Sequence, residues 1–242
     1  MKYFEAHNLY KKFDSIEIQF SLATERGSMT SIVGPSGAGK STVLKMIAGL
    51  EEIDSLNKGD CKKNKRSGEK SECQIFLDGQ EISHLIPQKR NLGMVFQQPS
   101  LFLNMNAIEN ISYGLRCRGF SKKEAFGESE KFLEMMGLKD FAKRDPTSLS
   151  GGEAQRICLA RTLIVKPKLI LFDEALSALD APLRKKLGEE ILELQKKLNF
   201  TALMVTHDIE EARRLSQRII LLKKGKIICD CPANDFDERL LE

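Results

Sequence analysis

Several classes are closed to this sequence by what it lacks. No run approaches the roughly 18 apolar residues of a membrane-spanning helix, and the opening Met1-Lys2-Tyr3-Phe4-Glu5 has no apolar signal core. The expectation is a soluble chain that stays in the cytosol. There is no Cys-x-x-Cys pair. The six cysteines, at 61, 73, 117, 158, 229 and 231, are scattered, which argues against a disulfide framework or a zinc site and for reduced thiols. Cys229-x-Cys231 could serve as a soft-metal pair. On a strand of period two, however, that spacing simply points two thiols the same way, and further ligands at metal spacing are missing. Neither sign of charge dominates. With 38 Lys and Arg against 34 Asp and Glu the net charge is +4, far short of a dedicated nucleic-acid binder. The 242 residues suffice for one substantial α/β domain with at most a small appendage.

What is present is organised around Gly34-Pro35-Ser36-Gly37-Ala38-Gly39-Lys40-Ser41-Thr42. The apolar run Thr30-Ser31-Ile32-Val33 precedes it and Val43-Leu44-Lys45-Met46-Ile47-Ala48 follows, so a buried strand hands over to a helix at this point. Glycines in such a loop let backbone N–H groups curl around an anion, and the helix that follows aims its positive end at the same place. Lys40 adds a point charge for β- and γ-phosphates, and the Ser41 hydroxyl suits Mg²⁺. The pattern predicts nucleoside triphosphate binding.

Along the chain, residues 2 to 34 alternate like an antiparallel hairpin region leading into the loop strand. Residues 56 to 73 are strongly charged and almost devoid of apolar side chains, the composition of a flexible surface insertion. Strands are expected at Ile75–Leu77 and Leu92–Phe96, and a largely helical stretch over 107 to 143 ends at Asp145-Pro146. A further helix opens at Ser148–Glu153. Leu169-Ile170-Leu171-Phe172 and Ala202-Leu203-Met204-Val205 are continuous apolar runs of the kind parallel sheets bury on both faces. Between them lies a helix with Leu183, Leu187, Ile191, Leu194 and Leu198 on one side, and the tail reads as an edge hairpin. Strands alternate with helices, so the fold class is α/β, a mostly parallel sheet of the P-loop NTPase kind whose strand ends collect polar residues at one rim.

At that rim, Asp173 can reach a Mg²⁺ held by Ser41, while Glu174, one residue on, faces elsewhere and is placed to orient or deprotonate water. Two adjacent carboxylates can also be plain helix-capping residues. Here the resemblance becomes specific. Leu149-Ser150-Gly151-Gly152-Glu153 resembles the signature motif of the ATP-binding cassette family, and Ser177-Ala178-Leu179-Asp180 resembles its D-loop. Gln97 matches the family's Q-loop and His207 its switch histidine, in family order across residues 13 to 207.

The resemblance implies an ATPase using ATP and Mg²⁺, with an antiparallel β subdomain and a helical subdomain, roughly 98–160, that carries the signature motif. Phe13 would stack on adenine; Gly34 through Thr42 would cradle the phosphates; Ser41, Gln97 and Asp173 would hold Mg²⁺. Glu174 and His207 would be catalytic. Ser150, Gly151, Gly152 and Asp180 would act in trans on ATP held by a second copy, so the chain should dimerise head to tail. Glu153 stands where glutamine is usual, and Ala175 where proline is usual. The run Arg90–Gln97 with Ser100-Leu101-Phe102, Glu109-Asn110-Ile111 and Tyr113–Arg116 resembles importer ATPases for polyamines, sulfate, iron(III), thiamine and sugars. That similarity implies membrane permease partners, a solute-binding protein acting indirectly, no nucleic acid, and a peripheral place on the cytoplasmic face of the membrane. It also implies a surface near 98–116 that receives the permease, with Phe102, Leu103 and Met105 in it. Residues 1–242 are expected to form one cassette domain without the C-terminal regulatory domain common among these relatives. A non-transporting cassette that drives a membrane partner shares every catalytic motif, and a nucleic-acid or ribosome-associated cassette is a third alternative.

Overall fold

Each apolar run splits its side chains between two layers, because successive residues of a strand face opposite sides. The computed structural model describes residues 2–13, 16–54 and 73–241. The charged insertion read at 56–73 lies outside the described residues, apart from Cys73. Among the described residues, ten strands and six α-helices follow in this order: β1 Lys2–Lys12, β2 Glu17–Glu25, β3 Met29–Val33, α1 Lys40–Ala48, β4 Gln74–Leu77, β5 Gln80–Glu81, β6 Leu92–Phe96, α2 Ala107–Cys117, α3 Lys122–Met135, α4 Gly151–Leu163, β7 Leu169–Asp173, α5 Ala181–Leu198, β8 Thr201–Val205, α6 Ile209–Leu215, β9 Arg218–Lys223 and β10 Lys226–Pro232. The first two strands form an antiparallel sheet with β4 and β5, in the order β2-β1-β4-β5. The second sheet runs β10-β9-β3-β8-β7-β6. All its pairings are parallel except that of β10 with β9 at the edge.

Period-two splitting explains the two main cores. Leu169, Leu171, Leu203 and Val205 pack with α1 and the antiparallel sheet, among Phe4, Leu9, Ile18, Phe20, Leu44 and Ile47. Ile170, Phe172, Ala202 and Met204 face the other way, onto Ile111, Leu133, Ile157, Leu187 and Ile191 of the helical layer. The stretch read as one helical region over 107–143 is broken at Gly119-Phe120. Gly119 has φ +90° and Ser121 starts α3 with its own capping box. On α5, Leu187, Ile191 and Leu194 are buried, whereas Leu198 lies at the exposed end of the helix.

One buried cation ties the end of α1 to residues 83–85. The Arg90 guanidinium donates to the carbonyls of Met46 and Ile47 at 3.0 and 2.7 Å, and to those of Ser83 and Leu85 at 2.8 and 2.9 Å. It thereby caps carbonyls in the last turn of α1, where a cation also complements the helix dipole. Burial lowers its pKa, but a guanidinium keeps its charge.

Candidate functional site

The phosphate loop joins β3 to α1, and two glycines show why other residues fail there. Gly39 caps α1 in the left-handed region at φ 97°, and a Cβ at this position would lie 2.6 Å from Ile18 Cδ1. A Cβ on Gly34 would fall 2.0 Å from the Leu222 carbonyl oxygen. The β9–β10 turn closes the back of the loop through a Gly225 N–H bond to the Ala38 carbonyl at 3.1 Å. Pro35, Ser36, Gly37 and Ala38 line a cleft of about 680 Å³ with Ile16, Glu17, Lys224 and Lys226. The two lysines of that turn carry no motif, and only the sheet pairing brings them to the loop.

Lys40 is almost fully buried and donates to the carbonyls of Gly34 and Pro35 at 2.8 and 3.0 Å. Burial lowers its pKa, against the pull of the Glu174 and Asp173 charges. The Ser41 hydroxyl donates to Asp173 Oδ1 at 2.5 Å. A hydroxyl and a carboxylate oxygen already side by side are hard donors suited to Mg²⁺. Phe96 of β6 is in register with Asp173 of β7, so Gln97 follows at the adjacent strand end and is exposed there.

The two rim carboxylates separate because the backbone turns between them. Glu174 sits at φ 48°, in the left-handed region, where a side chain is strained unless neighbours hold it. Its N–H donates to the Val205 carbonyl at 3.0 Å, and its carbonyl accepts from Ser177 N and Oγ at 3.0 and 2.8 Å. Its carboxylate then lies 3.6 Å from Nδ1 of His207, which extends from the end of β8. Phe13, at the end of β1 next to the β2 strand that packs on the loop, leaves its ring 39% exposed with Lys11 Nζ 5.8 Å from the centroid.

The second group of predicted residues lies elsewhere. Ser150 is the N-cap of α4, and Ser150 and Gly151 are exposed. Their neighbours are the segment before α5 and its first turn: a Cβ on Gly151 would lie 3.9 Å from Leu179 Cδ2, and one on Gly152 2.7 Å from Leu183 Cδ2. Asp180 is the N-cap of α5 and accepts from Leu183 N at 2.9 Å. The signature and D-loop residues thus form one surface of two helix starts, and the bonds of Ser150 run to Glu153 rather than to the phosphate loop.

Residues 18–177 match the ABC transporter family. The chain belongs to that family. The cassette is 41% identical over 247 residues to the spermidine/putrescine import ATP-binding protein PotA of Haemophilus influenzae (strain 86-028NP), covering 98% of this chain and 62% of that protein. It is 41% identical over 226 residues to the Fe(3+) ions import ATP-binding protein FbpC of Escherichia coli O157:H7, covering 93% of this chain and 60% of that protein. The chain therefore spans about three fifths of the length of these curated relatives. Its fold is similar to that of cbiO1 from Clostridium perfringens, part of the ABC transporter complex cbiONQ. The TM-score is 0.81 at 22% identity, over 97% of this chain and 90% of that one.

Three further groups in the cassette hold the motif residues in place. Gln155, buried on α4, donates from Nε2 to the carbonyls of Phe96 at 3.2 Å and Ala175 at 2.8 Å. It thus joins the residue before Gln97 to the residue after Glu174. Around His207, the Thr206 hydroxyl donates to buried Glu211, and Asp208 caps α6 by accepting from Glu211 N at 3.0 Å. Burial raises the pKa of Glu211. Arg184 reaches Asp208 at 3.3 Å and the Leu179 carbonyl at 3.0 Å, linking the D-loop to the histidine loop. A glutamine three residues past a glycine pair gives no local signal of this bridging; its partners are 59 and 20 residues away in sequence. The thiols of Cys229 and Cys231 lie on one side of β10 with their sulfurs 3.6 Å apart, packed against the cluster of Val33, Leu221 and Phe236.

Proposed function

We propose that this cassette is the ATP-hydrolysing subunit of an ABC transporter of the import type. In this reading it works as a head-to-tail dimer that couples ATP binding and hydrolysis to motion of a membrane permease. The observation that carries this is the division of the motif residues into two half-sites in one chain. Lys40, Ser41, Asp173, Glu174 and His207 gather at one rim, while Ser150, Gly151 and Asp180 present two exposed helix N-termini elsewhere. An exposed helix start, with backbone N–H groups and the positive end of the helix dipole, is suited to the γ-phosphate of an ATP held by another copy. Two copies related by a twofold axis make two complete sites.

In such a site Phe13 stacks on adenine, residues 34–42 wrap the phosphates, and Lys40 turns its ammonium from the loop carbonyls to the β- and γ-phosphates. Ser41, Asp173 and Gln97 are the residues that would hold Mg²⁺, which when bound neutralises charge on the β- and γ-phosphate oxygens. Glu174 takes the proton of the attacking water, and His207, beside it, keeps the carboxylate and the γ-phosphate in line. Closure of the dimer on ATP performs the mechanical step and hydrolysis resets it. Because each site needs two copies, the turnover of purified chain should rise with protein concentration and level off once dimers saturate. A turnover per chain that is constant across a hundredfold dilution series would rule out the shared site.

For the permease contact the cassette offers a fixed apolar patch. Phe102, Leu103 and Tyr113 are 38%, 70% and 41% exposed. The Phe102 and Tyr113 rings are 4.7 Å apart, and the Arg161 guanidinium lies 4.9 Å over Phe102. Fully buried Asn110 fixes the loop by donating to the Phe102 and Met105 carbonyls at 3.0 and 2.9 Å while accepting from Phe102 N at 2.8 Å. Met105 is half-buried and contributes less. An exposed patch on a rigid base suits a helical protrusion of a membrane subunit. The Phe102→Asp, Leu103→Asp double variant should lose co-purification with a co-expressed membrane permease subunit while keeping ATPase activity; full recovery of the complex would remove the patch from the interface.

No helix among the described residues is long and apolar enough to cross a membrane, in keeping with peripheral attachment at the cytoplasmic face. We place the helical subdomain at about 98–160 and treat 1–242 as one cassette, with contact to a solute-binding protein only through the permease and no role for nucleic acid. Relatives of equal identity are named for polyamine and for iron(III) import, two cargoes of unlike chemistry. Substrate choice therefore belongs to the other subunits.

A further inference from the structure

The start of α4 carries more than the signature residues. Glu153 Oε2 accepts from the Ser150 hydroxyl at 2.8 Å and from Ser150 N–H at 2.7 Å, while Glu153 N donates back to Ser150 Oγ at 3.4 Å. The two short bonds consume the two donors that Ser150 would offer an anion. The carboxylate therefore occupies the chemical role of an incoming phosphate: a negatively charged oxygen at the positive end of a helix. Burial does little to Glu153; the Ser150 backbone and hydroxyl donors dominate and hold its pKa below the usual carboxylate range. It therefore stays ionised throughout the physiological range.

We infer that Glu153 is an internal competitor for the γ-phosphate, which the partner's ATP must displace from Ser150 before the dimer can close. This inference rests on the shared-site reading above. A glutamine at 153 would preserve the acceptor oxygen and so the helix start, but it would be a weaker competitor without a charge to repel the phosphate. The side chain is a positioning residue: it acts on ATP through the Ser150 hydroxyl and through its charge.

The molecule contains its own control. The start of α3 is built the same way, with the Ser121 hydroxyl and N–H both donating to Glu124 Oε2 at 2.6 and 3.0 Å. Ser121 belongs to no ATP motif. If the box at α4 only starts a helix, then Glu153→Gln and Glu124→Gln should behave alike.

The test uses the full chain carrying Glu174→Gln, so that ATP-bound dimers accumulate, and measures dimer fraction by light scattering against ATP concentration. Adding Glu153→Gln should lower the ATP concentration for half-maximal dimer by about three- to tenfold, the scale of one charge-assisted hydrogen bond together with a screened repulsion. Adding Glu124→Gln should leave it unchanged. The advantage of Glu153→Gln should shrink as salt rises from about 0.05 M to about 0.5 M, where exposed charges are screened within a few ångströms. A salt-dependent gain at 153 with none at 124 supports the inference. A Glu153→Gln titration that matches the background, or that needs more ATP, overturns it while leaving the shared site intact. If neither the background nor its Glu153→Gln derivative dimerises at saturating ATP, both this inference and the shared-site reading fall; dimers only in the derivative would support both.

Discussion

Glu174→Gln should abolish turnover while sparing ATP binding: hydrolysis falls by about 10²- to 10⁴-fold, the usual worth of a positioned general base. The substitution is nearly isosteric. Glutamine still fits beside His207 Nδ1, which stands 3.6 Å from the carboxylate, and it needs the same left-handed backbone that the Val205 and Ser177 bonds impose. On the proposed role, what disappears is the proton acceptor. In the proposed cycle closure precedes hydrolysis, so the variant should collect as an ATP-bound dimer, visible by light scattering with ATP and absent with ADP. Residual activity within tenfold of the parent would show that Glu174 does not take the proton.

Lys40→Met should have the second largest effect, on binding rather than on the chemical step. The ammonium is buried among loop carbonyls, 2.8 and 3.0 Å from those of Gly34 and Pro35, and burial works against its charge. Such a group is a poor contributor to stability and a strong ligand for an anion, since little water must be stripped from it when phosphate arrives. Methionine retains the length and volume without the charge. ATP affinity should fall by about a hundredfold, the equivalent of about 3 kcal/mol, while the unfolding temperature without nucleotide stays level or rises. Calorimetric titration and thermal unfolding give the two readouts; a variant that loses stability and affinity together would mark Lys40 as a structural residue.

Motif order made most of the rim legible in advance, because phosphate binding demands particular residue types at fixed local spacing. Gly34 to Gly39 must lie between a strand and a helix, and Asp173 and Glu174 must end a buried run, whatever the rest of the chain does. Gln155 and Arg90 were not legible, since their partners are carbonyls, and every residue has one. Only the packed fold decides which carbonyls are left without a partner and close at hand. The same holds for Lys224 and Lys226, which reach the phosphate loop because β9 pairs beside β3.

Sequence by itself determined the strand and helix periods, the loop that accepts a triphosphate and the two carboxylates at the strand end, all consequences of short-range geometry. Tertiary structure alone supplied the partners of the pair. One positive φ turns Glu174 toward His207 while Asp173 stays with Ser41. It alone also decided that the Ser150 donors are already taken by Glu153. A sequence fixes which groups exist and how far apart they lie along the chain; which of them meet depends on side-chain orientation and on contacts distant in sequence.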